Sequence, residues 1–185
     1  KCIPFVEPAP PLSISGLLAN EVMSTPLKTI HVIPTVHEVI TLLRSCKHNG
    51  FPVIDDNNKL RGMTIRNHLI TILKFYNVKN QKTKEEILAA DASQDVDEVW
   101  SSLLPEESFA VSLQSKNQPL TETIEALMTT CDAESAIDLR PYMNRAPLFI
   151  SEHAPILRAY GLVRGMGMRH IAVCNEASEP VGMIT

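Results

Sequence analysis

The sequence predicts an α/β fold that contains two copies of one small β-α-β-β-α unit. Four landmarks in the first part of the chain recur later in the same order, at an offset of 120 or 121 positions. They are Met23 with Met143, Pro26 with Pro147, Pro34 with Pro155, and Gly62-Met63 with Gly182-Met183. Around them, apolar residues switch between helical spacing and the short continuous runs of buried strands. Recurrence at a fixed period indicates a duplicated structural unit.

The first copy opens with a short helix that ends before Pro26, because a residue that precedes proline is pushed out of the helical region. An extended piece at residues 29–32 follows. Strands at residues 51–54 and 60–64 flank a polar turn. Between the extended piece and the strands lies an amphipathic helix, and a final helix follows the strands. Their apolar residues are Val36, Val39, Ile40, Leu42, Leu43 and Cys46 in the first helix, and Leu69, Ile70, Ile72 and Leu73 in the last.

The second copy is predicted to repeat this order, with a short opening helix near Ile137 and an extended piece at residues 149–150. Strands are predicted at residues 170–174 and 181–184. The helix between the extended piece and the first of these strands should bury a stripe formed by Ile156, Leu157, Tyr160, Val163 and Met166. Three glycines near its end are predicted to allow close helix packing or to end the helix, namely Gly161, Gly165 and Gly167. Pairing of the two copies would close a core that neither could bury alone.

The domain organisation follows from these patterns. We predict a lead-in at residues 1–16, the first repeat at 17–76, a partly disordered connector at 77–132, and the second repeat at 133–185, which lacks its last helix. Within the connector, Thr83 and Glu86 have the spacing of a capping box, and residues 121–128 fit another short helix. A docking or phosphorylation role for the connector, suggested by Ser101, Ser102 and Ser108, stays open beside the role of a solvated linker.

Composition excludes several functions. The 185-residue chain has a net charge of −4 and a pI near 5.9, so it offers no basic face for nucleic acid. Its four cysteines form no C-x-x-C pair, which favours reduced thiols and no metal site, while a disulfide framework stays open from their number alone. No apolar run reaches the length of a membrane span. No catalytic group has a partner in a recognisable pattern, so the chain is predicted not to be an enzyme and to require no cofactor.

The repeats resemble CBS domains, and more closely the paired CBS domains (the Bateman module) of the intracellular branch of CLC chloride channels and chloride/proton exchangers. That branch includes lysosomal, endosomal and plant vacuolar members. The first repeat carries the resemblance in Val22-Met23-Ser24-Thr25-Pro26, His48-Asn49-Gly50-Phe51-Pro52-Val53-Ile54 and Gly62-Met63-Thr64-Ile65-Arg66. The second carries it in Ile137-Asp138-Leu139-Arg140-Pro141-Tyr142-Met143-Asn144 and Gly167-Met168-Arg169-His170-Ile171. The lead-in Ile3-Pro4-Phe5-Val6-Glu7 resembles the tether that joins the last membrane helix to the module.

The resemblance implies a regulatory module on the cytosolic side of a membrane protein, attached to a transmembrane CLC domain and working as a homodimer. The parent protein would lie in an intracellular membrane, or alternatively in the plasma membrane. The missing initiating methionine and the end at Thr185 within the repeat pattern predict that both termini lie inside a longer protein.

The resemblance also implies an adenine nucleotide, ATP, ADP or AMP, as a ligand. The family's base-contacting triplet falls on His48, Asn49 and Gly50, and its phosphate-side segment begins at Thr185. Some relatives have tyrosine in place of His48, whose smaller ring should stack less well on a base. Gly50 would let the backbone approach the ligand closely. The ribose-binding aspartate of the family would come three residues after Thr185.

The equivalent cleft of the first repeat departs from the family pattern, so we expect at most one nucleotide per module. Ile65 stands in place of the phosphate-binding threonine, His68 in place of the aspartate, and Leu27 in place of a threonine near the base. Structural roles remain open for the candidate residues as well. His48 could cap the helix that ends nearby, Gly50 could serve only a tight turn, and Thr185 could be only a strand residue.

Two further functions stay open from the sequence. The chain could belong to a soluble or enzyme-linked CBS pair that senses adenylates without a membrane domain. It could also act as an interaction scaffold that binds no ligand.

Overall fold

A computed structural model describes residues 14–75, 82–90 and 135–185. Its elements confirm the duplicated α/β pattern, with strands and helices in the predicted order except for the opening helix of the second repeat. In chain order they are α1 (Ala19–Val22), β1 (Ile30–His31), α2 (Val36–Ser45), β2 (Gly50–Ile54), β3 (Leu60–Ile65), α3 (Arg66–Phe75), α4 (Lys84–Ala90), β4 (Phe149–Ser151), α5 (Ile156–Met166), β5 (Ile171–Cys174) and β6 (Pro180–Ile184).

Each repeat forms a three-stranded sheet. The strand orders are β1-β2-β3 in the first repeat and β4-β5-β6 in the second. In the second sheet β4 runs parallel to β5, and β5 runs antiparallel to β6. The central strands are buried along their whole length, which explains why they read in the sequence as continuous apolar runs.

Helix α2 confirms the prediction made from apolar spacing. Thr35 begins the helix with a capping box, since its hydroxyl accepts from the Glu38 N–H at 3.1 Å and the Glu38 carboxylate accepts from the Thr35 N–H at 2.8 Å. The predicted apolar positions from Val36 to Leu43 are all buried, and Cys46 is half-buried just beyond the helix. This face packs on the first sheet together with Leu69, Ile72 and Leu73 of α3.

The apolar stripe predicted for helix α5 of the second repeat is only partly buried. Ile156 and Ala159 are buried, whereas Leu157 and Met166 are 39% and 61% exposed. In the first repeat α3 supplies Leu69, Ile72 and Leu73 to the core, whereas in the second the four-residue α1 supplies only Ala19, which packs with Ile156 and Ala159 of α5. The prediction that Gly161 and Gly165 allow close packing is wrong within the described residues, because a Cβ at either position would meet nothing within 4 Å. Gly167 ends α5 with a φ of 65°, as predicted.

The prediction for the opening of the second repeat is also wrong. The prediction placed a short helix near Ile137, but the chain forms a hydrogen-bonded turn at residues 140–142. The N–H groups of Tyr142 and Met143 both donate to the Leu139 carbonyl at 3.0 Å. The N–H groups of Ile137 and Leu139 donate instead to the carbonyls of Pro34 and Val32, at 2.8 and 3.0 Å, which explains why this segment is extended before the turn.

The described chain forms two compact units, and each unit contains segments from both repeats. The second-repeat unit contains Ala146–Thr185, the β2–β3 turn at Ile54–Arg61, and the described part of Lys1–Lys28. The first-repeat unit contains Thr29–Val53 and the described part of Gly62–Arg145. Each unit therefore holds the opening segment of the other repeat. We call these segments the first lead-in (residues 14–24) and the second lead-in (residues 135–144).

Backbone hydrogen bonds fix each lead-in in its unit. In the second-repeat unit, the Ser24 N–H donates to the Met183 carbonyl at 2.8 Å, and the Met183 N–H donates back at 3.4 Å. In the first-repeat unit, Asn144 and Met63 exchange the same two bonds at 2.9 Å each. The two pairs are related by the 120-residue offset. The exchange is thus a property of both repeats.

A methionine of each lead-in lies directly on a strand glycine. A Cβ at Gly62 would come within 2.6 Å of the Met143 sulfur and 2.9 Å of the Asn144 carbonyl oxygen. A Cβ at Gly182 would come within 2.6 Å of Cγ of Met23. These glycines, which marked the repeat in the sequence, are therefore needed for the close approach of the lead-ins.

The connector contains one described helix, α4, which confirms the predicted capping box. The Thr83 N–H donates to the Glu86 carboxylate at 2.9 Å, and the Glu86 N–H donates to the Thr83 hydroxyl at 3.3 Å. Ile87 is buried against Ile33 and Ala136 within the first-repeat unit. The helix predicted at residues 121–128 and the three connector serines lie outside the described residues, and the predicted domain boundaries stay predictions. Within the described ranges, no helix has the length and apolar character that crossing a bilayer requires.

Substitution of alanine at two glycines should have opposite effects on stability. Gly62→Ala should lower the free energy of unfolding by about 1–3 kcal/mol, because the Asn144 carbonyl is held by the backbone and cannot move away from the new methyl group. Gly161→Ala should raise it by about 1 kcal/mol, because alanine favours the helix and meets no neighbour. Urea unfolding monitored by circular dichroism measures both. An equal effect of the two substitutions would contradict the close approach at Gly62.

Candidate functional site

The residues His48, Asn49 and Gly50 form the connection between α2 and β2, which we call the base-side turn. Gly50 is buried as the first residue of β2, whereas His48 and Asn49 are exposed. Both side chains are therefore accessible to a molecule that approaches this end of the helix. The structure brings these three predicted residues together because α2 ends at Ser45 and the chain turns directly into the sheet.

Arg66 holds the base-side turn and the end of α2. Its Nε donates to the His48 carbonyl at 2.8 Å, its Nη1 donates to the Leu43 carbonyl at 3.0 Å, and its Nη2 donates to the Cys46 carbonyl. Its backbone N–H donates to the Asn49 carbonyl at 2.8 Å. Among the described residues, Arg66 therefore makes the contacts to the last carbonyls of α2 that the sequence had left open for His48.

One signal in the sequence indicates this role, although Arg66 is not among the predicted site residues. Arg66 directly follows β3 at the end of the motif that begins with Gly62, and it opens α3. A cation at the start of a helix is unfavourable for that helix's own dipole, so its presence there calls for another partner. The carbonyls at the end of α2 are that partner.

Thr185 lies just after β6 and is exposed. It belongs to the second-repeat unit, whereas the base-side turn belongs to the first-repeat unit. Its neighbour Ile184 packs against the core of its unit. The roles of the three turn residues and of Thr185 toward a nucleotide stay predictions.

The structure also describes the three residues that depart from the family pattern. Ile65 ends β3 and is 36% exposed, and His68 is half-buried on α3. Leu27 is half-buried in the second-repeat unit. Neither of the first two offers the hydroxyl or carboxylate that a nucleotide would require at its position.

The turns between the last two strands of each repeat have the same geometry. In the first, the Asp55 carboxylate accepts from the N–H groups of Asn57 and Lys59, each at 2.9 Å, and from Nε of Arg61 at 2.8 Å. The Lys59 N–H makes the largest contribution that lowers the pKa of Asp55, with further contributions from Arg61 and Asn57. In the second turn, Asn175 takes the place of Asp55 and accepts from the Glu179 N–H at 2.9 Å.

The pKa values of Cys174 in β5 and of His170, which directly precedes β5, differ from the ordinary values of these groups. Burial raises the pKa of the Cys174 thiol to about 11, which keeps it protonated and unreactive. Burial also lowers the pKa of His170, and the positive charge of Arg169 lowers it further. The buried Nδ1 of His170 has no hydrogen-bond partner in the part of the chain that the structure describes. Both effects favour the neutral imidazole of His170 over the charged form.

No metal-binding cluster is found in the described ranges, where no three His, Cys, Asp or Glu side chains come together in a suitable group. Cys46 and Cys174 are free thiols there.

One known protein family matches both repeats of the chain. The CBS domain family matches residues 19–74 and 137–185. The chain belongs to the CBS domain family. The two matched ranges coincide with the sheets and helices of the two repeats, so the chain carries a CBS pair. The α/β fold and the pairing inferred from the sequence are thereby confirmed.

Chloride transport proteins are similar to this CBS pair over its whole length. "Chloride channel protein C" from Dictyostelium discoideum is 36% identical over 193 aligned residues, which cover 100% of this chain and 23% of that protein. "H(+)/Cl(-) exchange transporter 7" from Bos taurus is 26% identical and covers 99% of this chain and 21% of that protein. The chain thus spans about a fifth to a quarter of the length of these curated relatives.

Solved structures of CBS pairs share the fold. The CBS-pair protein CBSX2 from Arabidopsis thaliana superposes with a TM-score of 0.53 at 16% identity, covering 92% of this chain and 89% of the other. CBSX2 in complex with AMP gives a TM-score of 0.51 at 19% identity, covering 92% and 91% of the two chains.

Acidification should destabilise the CBS pair through His170. Its lowered pKa means that the folded state favours the neutral imidazole, so the associated stability is present above the ordinary value of 6.5 and is lost as the pH falls below it. The free energy of unfolding should therefore fall between pH 7.5 and pH 5.5. His170→Gln should make this decline shallower, and His37→Gln, at an exposed position on α2, should leave it unchanged. An unchanged decline in His170→Gln would contradict the assignment.

Proposed function

We propose that this CBS pair is the cytosolic regulatory region of a CLC-type chloride channel or chloride/proton exchanger, and that it responds to an adenine nucleotide. The parent protein would work as a homodimer in an intracellular membrane, with the ion path in its transmembrane domain. In this role the chain itself catalyses no reaction. The observation that carries the proposal is the full-length similarity to chloride channel protein C, which includes the connector as well as both repeats.

The proposed attachment to a membrane domain gives the first lead-in a mechanical role. Three backbone hydrogen bonds join it to the segment before α5 and to that helix's first residue. Ala19 donates to Ala154 at 2.9 Å, Asn20 donates to Glu152 at 3.0 Å, and Ile156 donates to Leu17 at 2.9 Å. With the Ser24–Met183 pair, these bonds fix the lead-in to the second repeat. A tether that continues into the first lead-in would therefore follow movements of the second repeat.

The nucleotide proposal is supported by the CBSX2 complex with AMP, which has the same fold. In this chain we assign the base contacts to His48, Asn49 and Gly50, and a phosphate contact to Thr185. The exposed imidazole of His48 offers a face for stacking, and the exposed amide of Asn49 offers both a donor and an acceptor. A ligand can change transport only if it binds two conformations of the module with unequal affinity.

Binding of ATP, ADP or AMP to the CBS pair should depend on the ring at position 48. His48→Ala should weaken the affinity by roughly tenfold, because stacking of a base on an aromatic ring contributes about 1–3 kcal/mol. His48→Tyr should strengthen it, because the larger ring covers more of the base. Isothermal titration calorimetry with each nucleotide measures these effects.

His37→Ala is the matched control, since His37 is an exposed histidine on α2 in the same unit. Equal affinities of the His48 and His37 variants would remove His48 from the site. If none of the three nucleotides binds the wild-type chain, the role of a scaffold without a ligand is favoured over that of a sensor.

Regulation should depend on the hydrogen bonds between the first lead-in and β6. In the full-length parent protein, Ser24→Pro removes the N–H that donates to the Met183 carbonyl, so it should reduce the effect of nucleotide on chloride transport. Ser24→Ala keeps that N–H and should retain the effect. Chloride flux into vesicles that contain the parent protein, with and without nucleotide, measures the size of this effect. Nucleotide binding by each variant is measured in parallel. A full nucleotide response in Ser24→Pro would contradict coupling through the lead-in.

A further inference from the structure

The side chain of Arg66 is directed toward protein carbonyls and not toward solvent. All three of its guanidinium nitrogens donate to backbone carbonyls near the end of α2, on Leu43, Cys46 and His48. A guanidinium presents its donors in a planar fork, which fits several carbonyls converging at a helix end. The side chain is half-buried, so these bonds are partly shielded from water. Arg66 is thus engaged within the protein although it follows the strand at which the family places its phosphate contacts.

The backbone of Arg66 extends the same contact to the next residue of the base-side turn. Its N–H donates to the Asn49 carbonyl at 2.8 Å, so His48 and Asn49, two consecutive residues, both have their carbonyls bonded to Arg66. The guanidinium also lies 5.8 Å from the centre of the Phe51 ring, where a cation is attracted to the aromatic face. The start of α3, the end of α2 and the start of β2 are therefore joined through one residue.

This arrangement has a consequence for the exposed side chains of the turn. With both carbonyls bonded to Arg66, the peptide planes of His48 and Asn49 are fixed, and the two side chains remain exposed. A side chain that is already held in its binding orientation loses less conformational freedom when a ligand binds. Rigidity of the turn would thus contribute directly to affinity.

We propose that Arg66 is a positioning residue, which sets the orientation of His48 and Asn49 for a nucleotide base without contacting the ligand itself. The part of this inference that concerns the ligand rests on the proposed nucleotide function. The part that concerns the turn does not, because the contacts of Arg66 exist in the chain alone.

Two measurements on the full chain test the inference. Arg66→Lys keeps the charge but removes the fork, so backbone amides at residues 46–51 should exchange with deuterium at least about tenfold faster than in the wild type. Nucleotide affinity in the same variant should fall by roughly tenfold, because binding would then have to order the side chains of His48 and Asn49. Exchange in β5 and β6 should stay unchanged. Arg66→Gln serves as a second variant if Arg66→Lys does not fold.

Arg61→Lys is the matched control. Arg61 lies on β3, the strand that Arg66 follows; it makes its ion pair with Asp55 and touches no residue of the base-side turn among its described contacts. It should leave both exchange at residues 46–51 and nucleotide affinity as in the wild type.

The outcomes separate this inference from the proposed function. Wild-type exchange at residues 46–51 in Arg66→Lys would overturn the positioning role, and so would faster exchange throughout the first-repeat unit or loss of folding in both variants. Faster local exchange with unchanged affinity would overturn the link to the ligand. If the wild-type chain binds no nucleotide, the proposed function fails, and the exchange measurement still decides whether Arg66 orders the turn.

Discussion

The fold depends on the exchange of lead-ins, in which each repeat supplies a segment that completes the other repeat's unit. The exchange is fixed by reciprocal backbone hydrogen bonds, Ser24 with Met183 and Asn144 with Met63. Backbone groups that are buried without such partners would destabilise the fold, so each lead-in is required by the sheet it covers. A methionine from each lead-in then fills the space that a strand glycine leaves. One repeat on its own would lack both the hydrogen bonds and the apolar cover, which explains why the unit occurs as a pair.

Much of this architecture could be predicted because it follows from local patterns. The spacing from Val36 to Leu43 specified the buried face of α2, and the capping boxes at Thr35 and Thr83 follow from a threonine with a glutamate three residues later. The landmark glycines were visible as well, but only as markers of a repeat. In the exchange, Gly62 meets a segment about 80 residues away in sequence, and Gly182 meets one about 160 residues away. No pattern within a single sequence connects segments so far apart.

The wrong predictions share a physical cause, which is tertiary context. Leu157 and Met166 have the spacing of a buried stripe, but burial requires an opposing surface, and the described second-repeat unit supplies none for them. The opening of the second repeat has helical residues around Ile137, but its N–H and carbonyl groups bond across the unit, as in the bonds of Ile137 to Pro34 and of Leu139 to Val32. For the candidate site, the resemblance to the family pointed to the base-side turn, whereas the role of Arg66 depends on three carbonyls that meet only in the folded chain.

The exchange also bears on how a module of this kind could transmit a signal. Thr185, the proposed phosphate contact, lies two residues after Met183, and Met183 exchanges backbone bonds with Ser24 of the first lead-in. Ser24 and Met183 form an isolated bridge of two backbone hydrogen bonds, both of which would be lost if β6 moved without the lead-in. A displacement of β6 would therefore move the first lead-in with it and could not be absorbed by side-chain rearrangement. Under the proposed function, the segment nearest to the membrane domain responds to the second repeat, while the base contacts lie in the unit that contains the first. A ligand contact at Thr185 would therefore reach the tether through β6 and Ser24 of the first lead-in.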